Sequence, residues 1–223
     1  MRTLASEYED CGYGVVGDAA VSSEFAARKQ QLRTACLAAR RELSEDERAA
    51  AGRALRDAVL EDPPTQMAGT VAAYVSVGTE PATRALLFAL WKRGSYVILP
   101  LLKADGDLDW ASYEGPESLV ERPGGLLEPG EPPRGVGAIC SADLVIVPAL
   151  AADGRGYRLG RGGGSYDRAL ARVGPAVPTI ALLYDGELLD EVPAAPHDQP
   201  VRAVARPGHG ITSFPPGLLP SSS

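Results

Sequence analysis

The sequence predicts an α/β fold, in which one three-layer α/β/α domain holds a mostly parallel sheet between helices. Continuous apolar and β-branched runs, such as Thr70 to Val77, are typical of buried strands. Segments with apolar residues at a spacing near 3.6 alternate with these runs and are typical of helices. Because strands and helices alternate along the chain, we expect a parallel sheet with helices on both faces.

Local signals place the predicted helices. Apolar residues at helical spacing predict the first one, and Ser44 followed by Glu47 has the spacing of a capping box that begins the second. Two prolines end the second helix, Gly94 ends the third, and the fourth follows a glycine-rich loop. In chain order, the predicted helices span 24–42, 44–60, 81–93 and 165–172.

Apolar runs place the predicted strands, which span 70–77, 96–102, 108–113, 143–147, 177–184 and 201–205. The segment over 115–137 is rich in glycine and proline and is predicted to be a loop. Residues 1–23 show little periodicity, and residues 206–223 contain four prolines and three glycines. We therefore expect a mobile leader over 1–23, a folded domain over 24–205 and a tail over 206–223.

Composition excludes several classes of protein. Three scattered cysteines without a CxxC pair, and two histidines, argue against a disulfide framework and a zinc site and favour a reducing compartment. The formal net charge of -7 argues against a nucleic-acid partner. No apolar run approaches the ~18 residues of a membrane span, and the acidic N-terminus does not resemble a signal peptide. We expect a cytoplasmic monomer that acts on small molecules.

The segment DGRGYRLGRGGGSYDRALAR, residues 153–172, carries the strongest functional signal. It lies between a predicted buried strand and a predicted helix, at the carboxyl edge of the sheet, where ligands of such folds bind. Gly160, Gly162, Gly163 and Gly164 let the backbone approach a ligand closely, and the following helix N-terminus adds partial positive charge. Between residues 155 and 172 there are five arginines and one acid. This combination predicts a focused anion site.

The segment over residues 153–172 also allows interpretations other than an anion site. A flexible glycine loop with solvated arginines is a plain alternative. The spacing is neither a Walker A motif, because no Gly-Lys-Ser/Thr follows, nor the dinucleotide fingerprint G-x-G-x-x-G. A sugar-phosphate isomerase or an acyl-transfer enzyme would need acid–base residues at strand ends, and only Glu80 offers one.

Lys29 and Arg33 lie four residues apart on the first predicted helix and therefore share one face. Two cations on one face can hold phosphates. From the residues alone, a solvated basic stripe is the favoured interpretation, because Arg28, Arg40 and Arg41 are close by in sequence.

Six ordered motifs resemble those of the 5-formyltetrahydrofolate cyclo-ligase family. RLGRGGGSYDR is similar to its R-L-G-x-G-x-G-Y-Y-D signature, and DLVIVPALAADGRGYRLG to the segment that leads into it. The four remaining matches are Lys29-Gln-Gln-Leu32-Arg33, Gly78-Thr79-Glu80 with Thr83, Leu127-Glu128-Pro129 and His197-Asp198. On this resemblance, the protein is identified as a member of that family over most of residues 29–205.

The resemblance implies an enzyme that converts 5-formyltetrahydrofolate to 5,10-methenyltetrahydrofolate, with ATP as co-substrate and Mg²⁺ as cofactor. It implies that Arg161 is catalytic and lies near both substrates. The implied ATP-binding residues are Lys29, Arg33, Arg158, Leu159, Gly160, Arg161, Gly162, Gly163, Gly164, Ser165 and Tyr166. The implied folate-binding residues are Val75, Glu80, Arg161, Gly164, Ser165 and Tyr166. Asp167 and Asp198 match the acids associated with Mg²⁺.

Most of these residues also have an ordinary structural interpretation. Arg161 could be an exposed loop arginine, and Val75 could be a core residue. Asp167 could be an acid at a helix N-terminus. Glu80 could be an acid in the first turn of a helix that starts with Pro81.

The sequence departs from the family pattern at four places. Ser165 replaces a tyrosine that contacts folate in the family, and removal of a buried ring costs on the order of 1–3 kcal/mol. Ala82, Ala151-Ala152 and Arg202 replace an acid, a Gly/Phe pair and an acid. Ser165, Ala82 and Ala151-Ala152 motivate an alternative: a diverged member that binds nucleotide or folate without turning over formylfolate.

Overall fold

A computed structural model describes residues 17–123 and 125–214, with the backbone alone for residues 17–23. The first helix begins at Gly17, inside the predicted leader, and the last strand lies inside the predicted tail. The other residues of the predicted leader, and residues 215–223 of the predicted tail, lie outside the described residues.

The helices are α1 (Gly17–Glu42), α2 (Glu45–Glu61), α3 (Pro63–Met67), α4 (Arg84–Lys92) and α5 (Ser165–Leu170), with 3-10 helices at Pro116–Ser118 and Val136–Ser141. The strands are β1 (Thr70–Ala72), β2 (Tyr96–Leu102), β3 (Leu108–Ser112), β4 (Leu119–Arg122), β5 (Leu126–Pro129), β6 (Leu144–Pro148), β7 (Ala151–Asp153), β8 (Arg158–Leu159), β9 (Thr179–Leu182), β10 (Leu188–Leu189), β11 (Ala203–Arg206) and β12 (Gly210–Ser213). Among the described helices, none has the length and apolar composition that crossing a bilayer requires.

Seven strands form the central sheet, in the order β12-β11-β9-β6-β1-β2-β3. The inner strands pair in parallel, and β3 and β12 pair antiparallel at the two edges. The prediction of a mostly parallel sheet is therefore confirmed. Two small sheets, β10-β7-β8 and the β4-β5 hairpin, flank it.

Alternation along the central strands creates a core on each face of the sheet. Val71 packs in the core that contains Leu55 of α2 and Leu87 of α4. The next residue, Ala72, belongs to the opposite core, which contains Leu170 of α5. Each fully buried aliphatic side chain of this kind contributes about 1.5–3 kcal/mol. Helices on both faces confirm the predicted three-layer architecture.

The predicted capping box is present at the start of α2. Ser44 Oγ accepts a hydrogen bond from the Glu47 N–H at 3.2 Å, and the Glu47 carboxylate accepts one from the Ser44 N–H at 2.8 Å. These bonds satisfy N–H groups that would otherwise have no partner within the helix.

Several other predicted elements differ from the structure. The strand predicted to reach Val77 ends at Ala72, because the chain then leaves its neighbours and turns into a pocket. The helix predicted from residue 81 begins at Arg84, because Thr83 exchanges hydrogen bonds with Ser76 instead of continuing a helix. The loop predicted over 115–137 contains the 3-10 helix Pro116–Ser118, the β4-β5 hairpin and the start of the second 3-10 helix.

Helix α1 is fixed to the rest of the protein by a buried arginine. Arg40 is 1% exposed and forms a bidentate ion pair with Glu187, with N–O distances of 2.6 and 2.8 Å. It also donates to the Ala149 carbonyl at 2.7 Å. Leu32 and Leu37 of α1 add apolar contacts to Leu150 and its neighbours. Arg40 thereby joins α1 both to the segment that follows β6 and to the segment that follows β9.

We expect Arg40→Met to lower the free energy of unfolding by about 3–5 kcal/mol, since Glu187 would remain buried without its counter-charge. Urea denaturation at neutral pH measures this change. The neighbouring exposed arginine supplies the control: Arg41→Met should change the stability by less than about 0.5 kcal/mol. Equal stabilities of the two variants would contradict the anchoring role of Arg40.

Candidate active site

One large pocket opens at the carboxyl edge of the central sheet, where the chain leaves β1, β2 and β6. Its cavity volume is about 630 Å³. Every residue for which the sequence predicted a binding or catalytic role lines this pocket. These residues are Lys29, Arg33, Val75, Glu80, Arg158, Leu159, Gly160, Arg161, Gly162, Gly163, Gly164, Ser165, Tyr166, Asp167 and Asp198.

The glycine loop, residues 160–164, forms one wall of the pocket between β8 and α5. Gly162 and Gly164 have φ values of 109° and 66°, which other residues rarely adopt. A Cβ at Gly164 would also lie 3.2 Å from Nη1 of Arg168. The following helix is shorter than predicted, with six residues from Ser165 to Leu170. An anion at this wall would therefore depend on loop N–H groups and side-chain cations more than on a helix dipole.

Lys29 and Arg33 of α1 approach the glycine loop from the opposite wall. Arg33 Nε donates to the Gly160 carbonyl at 2.9 Å, and Lys29 Nζ lies 2.6 Å from Asp198 Oδ2. The Lys29 side chain is 13% exposed. These contacts disfavour the solvated basic stripe that the sequence alone suggested, because both side chains face the pocket.

Arg158 lines the pocket beside the glycine loop. Its side chain is 3% exposed and lies 2.9 Å from Asp167 Oδ1, which also accepts the Gln199 N–H at 3.0 Å. Burial lowers the pKa of Arg158, and the nearby Asp167 carboxylate opposes that change. Asp167 therefore pairs with a buried arginine and does not act only as a helix N-terminal acid.

Asp198 is held in its ionised form at the rim. Burial by itself would raise its pKa, but the Ala195 N–H and the Lys29 ammonium together keep the pKa below the ordinary value. The Ala195 N–H donates to Oδ2 at 2.6 Å.

Glu80 lies where the chain has left β1, three residues past Val77. Its Oε2 accepts the Val77 N–H at 2.9 Å, and its Oε1 lies 3.0 Å from Nε of Arg161. Because α4 begins at Arg84, Glu80 is not an acid in the first turn of a helix. It joins the glycine loop to the apolar end of the pocket.

The other end of the pocket is apolar and contains two tyrosines, of which Tyr74 is buried and Tyr166 is partly buried. Tyr74 is 3% exposed, and its hydroxyl has no hydrogen-bond partner among the described residues. Burial, followed by the charge of Glu80, raises the pKa values of Tyr74 and Tyr166, so both stay neutral. Val75, Leu102 and leucines of β3 and β5 complete this end.

Sequence reasoning gave no role to several residues that line the pocket. Tyr74 lies within an apolar run and has the pattern of a core residue. Glu128 belongs to a quoted motif and is 9% exposed, with Oε1 accepting the Leu102 N–H at 2.9 Å. Phe25 packs its ring 5.0 Å from the Lys29 ammonium. Only the motif around Glu128 offered a signal for any of these positions.

Ser165 takes part in a contact that the sequence did not reveal. Its hydroxyl donates to the Gly106 carbonyl at 2.5 Å, and Arg168 Nη2 donates to the same carbonyl. One turn further along, Arg172 forms a bidentate ion pair with Asp107, at 3.0 and 2.6 Å. We call these contacts the turn clamp. They fix the turn between β2 and β3 against the glycine loop.

Asp167 and Asp198 have carboxylate oxygens that could serve as ligands of Mg²⁺. In the ranges that the structure describes, no group of three or more His, Cys, Asp or Glu side chains could hold a metal by itself. Asp167 Oδ2 and Asp198 Oδ1 accept no hydrogen bond from the described residues. One or two carboxylate oxygens fit magnesium that is bound chiefly through phosphate oxygens and water.

Comparisons with known proteins agree on one family. A profile of the 5-formyltetrahydrofolate cyclo-ligase family matches residues 25–207. The 5-formyltetrahydrofolate cyclo-ligase of Mycolicibacterium smegmatis is 42% identical over 192 residues, which are 83% of this chain and 97% of that relative. The enzyme of the same name from Escherichia coli K12 is 32% identical over 171 residues, 75% of this chain and 94% of that relative.

Solved structures show a similar fold. The Aquifex aeolicus 5,10-methenyltetrahydrofolate synthetase superposes with a TM-score of 0.72 at 26% identity, over 83% of this chain and 92% of that one. A Mycoplasma pneumoniae 5,10-methenyltetrahydrofolate synthetase gives 0.63 at 21% identity, over 79% and 96%. At 21% identity, the comparison with the Mycoplasma pneumoniae protein shows a similar fold and nothing more.

The turn clamp predicts a pH-dependent effect on stability. Asp107→Asn should lower the Tm at pH 7 by about 2–4 °C, the shift for a loss of about 1 kcal/mol in a domain of this size. Arg172 keeps the pKa of Asp107 below the ordinary value of about 3.9. The stabilisation is therefore present above that value and is lost as pH falls through the lower folded pKa. Thermal melts at several pH values measure the difference, and a difference that persists in acid would contradict the clamp.

Proposed function

Since the chain belongs to the 5-formyltetrahydrofolate cyclo-ligase family, as its motifs predicted, we propose that it converts 5-formyltetrahydrofolate to 5,10-methenyltetrahydrofolate with Mg·ATP. ADP and phosphate are the other products. We also propose that it acts as a cytoplasmic monomer, without nucleic-acid or membrane partners.

The observation that carries this proposal is the two-part character of one pocket. The glycine loop, Lys29 and Arg33 form a wall suited to phosphates, while Val75 and Tyr74 form an apolar end beside the mostly buried carboxylate of Glu80. A nucleotide and a folate could therefore bind in a single cavity. The two reactants would then be held next to each other in one complex, which lowers the entropic cost of their reaction.

In the proposed reaction, the formyl oxygen attacks the γ-phosphorus of ATP and ADP leaves. N10 then closes on the activated carbon and loses its proton, and the carbon–oxygen bond breaks as phosphate departs. The protein needs no covalent nucleophile for these steps, because alignment and charge neutralisation carry phosphoryl transfer. Arg161 lies between the two parts of the pocket, where its guanidinium can offset charge on the transferring group.

The remaining roles follow from position. Lys29, Arg33 and Arg158 would bind the phosphates through their positive charges. The residues from Leu159 to Tyr166, including the N–H groups of the glycine loop, would surround the nucleotide. Asp167 and Asp198 would hold Mg²⁺, which when bound neutralises charge on the phosphate oxygens. Glu80 would accept N–H groups of the pterin, with Val75 and Tyr166 lining the ring.

Two of the departures that motivated the diverged alternative lie away from the pocket. Ala151 and Ala152 are fully buried in β7, and Ala82 is exposed beside Gly52 of α2. Ser165 does line the pocket, but its hydroxyl is used by the turn clamp. The alternative therefore rests on Ser165 alone and is decided by an activity measurement.

The test follows methenyl product by near-ultraviolet absorbance after 5-formyltetrahydrofolate is mixed with Mg·ATP and the protein. We expect product that requires both substrates. Lys29→Met should raise the KM for ATP at least tenfold, because an ammonium that faces the phosphates is lost. Arg28→Met is the matched control, since Arg28 pairs with Glu191 at the surface and should leave the KM within twofold.

Folded protein that binds ATP but makes no product would overturn the proposed activity and favour the diverged alternative. Equal KM values for the two variants would remove Lys29 from the nucleotide site.

A further inference from the structure

Three cations of the candidate active site are paired with its acids. Lys29 pairs with Asp198, Arg158 with Asp167, and Arg161 with Glu80, at 2.6, 2.9 and 3.0 Å. Under the proposed function, the cations of these pairs face phosphates, while the acids face Mg²⁺ or the pterin. Binding of the substrates must therefore exchange at least some of these partners.

The pair between Arg161 and Glu80 differs from the other two because it spans both parts of the pocket. Arg161 belongs to the glycine loop, and Glu80 follows β1, 81 residues earlier in the chain. The Arg161 side chain is 51% exposed, whereas the side chain of Glu80 is 9% exposed. The guanidinium can turn toward solvent or a ligand, but the carboxylate is fixed by the Val77 N–H.

Both oxygens of Glu80 are in use in the free protein. Oε2 is bound within its own turn, and Oε1 is bound by Arg161. A ligand that needs the negative charge of Glu80 must therefore compete with an arginine. An ion pair with one well-exposed partner is weak, and phosphate oxygens offer the guanidinium stronger bidentate contacts.

We propose that this ion pair makes folate binding depend on bound nucleotide. Nucleotide phosphates draw Arg161 away from Glu80, and the freed carboxylate then accepts N–H groups of the folate. The inference rests on the proposed function, because it takes the two ligands from there. By linkage, folate must tighten nucleotide binding by the same factor.

The other two pairs are less suited to this role. Arg158 is almost fully buried, and Asp167 also accepts a backbone N–H, so that pair is fixed inside the loop. Lys29 and Asp198 both lie on the anion-binding side, so their separation would not release a group at the apolar end. Arg33 donates to a carbonyl and has no acid partner among the described residues, so its movement would release no carboxylate.

The experiment measures the Kd of 5-formyltetrahydrofolate by calorimetry, with and without saturating Mg·AMP-PNP, an ATP analogue that is not consumed. In the wild-type protein, the analogue should lower this Kd by about fivefold or more. Arg161→Met should bind folate without nucleotide as tightly as the wild-type protein does with it, and the analogue should add nothing. Arg28→Met is the control, because it removes a surface ion pair with Glu191 outside the pocket, and it should keep the wild-type Kd both without and with the analogue.

Three results would overturn the proposal. The first is a wild-type Kd that does not respond to the analogue. The second is weaker folate binding by nucleotide-free Arg161→Met, which would mean that the arginine contacts folate directly. The third is coupling that survives in Arg161→Met, which would mean that the two ligands interact with each other.

A second variant covers the case in which Arg161→Met does not fold, as judged by circular dichroism. In Glu80→Gln, folate should bind more weakly, but the ratio of Kd values without and with the analogue should fall to about one. A wild-type ratio in this variant would also overturn the proposal.

The turnover assay separates this inference from the proposed function. A wild-type protein that makes methenyl product but shows no coupling keeps the proposed function and loses the inference. A protein that binds no 5-formyltetrahydrofolate under either condition loses both.

Discussion

Charge neutralisation at the glycine loop is the constraint on which this site depends. Lys29, Arg33, Arg158 and Arg161 all line one pocket. Like charges confined to one pocket repel one another, more strongly where the pocket excludes water. Three acids from different segments of the chain offset this repulsion, and two of the pairs join residues 169 and 81 positions apart. The pocket wall made of the glycine loop and these four cations therefore forms only when the folded sheet has brought these segments together.

The same constraint explains which parts of the site the sequence could predict. The glycine loop and its arginines are contiguous, so their spacing alone indicated an anion site. The capping box at Ser44 and the alternation of strands with helices are local patterns and were confirmed. The pairing of Lys29 with Asp198 joins distant segments and leaves no trace in local spacing. For the same reason the function of Lys29 could not be separated from that of a solvated stripe without the family resemblance.

Tertiary contacts also account for the predictions that were wrong. The sequence pattern predicts a loop where the β4-β5 hairpin lies, because the two strands have only four residues each and are flanked by glycine and proline. Helix α4 starts late because Thr83 bonds to Ser76. Ser165, which replaces an aromatic residue of the family pattern, donates a hydrogen bond in the turn clamp to the carbonyl of Gly106, 59 residues away. Residue type alone does not reveal any of these contacts.

The account's central claim is that nucleotide and folate share this pocket, with the phosphates between α1 and the glycine loop. A crystal structure of the protein with Mg·AMP-PNP and 5-formyltetrahydrofolate tests it most directly. We predict phosphate oxygens within hydrogen-bond distance of Lys29, Arg33 and the glycine-loop N–H groups, and the pterin against Val75 and Glu80. Phosphates bound away from the glycine loop, or a folate bound outside this pocket, would contradict the account.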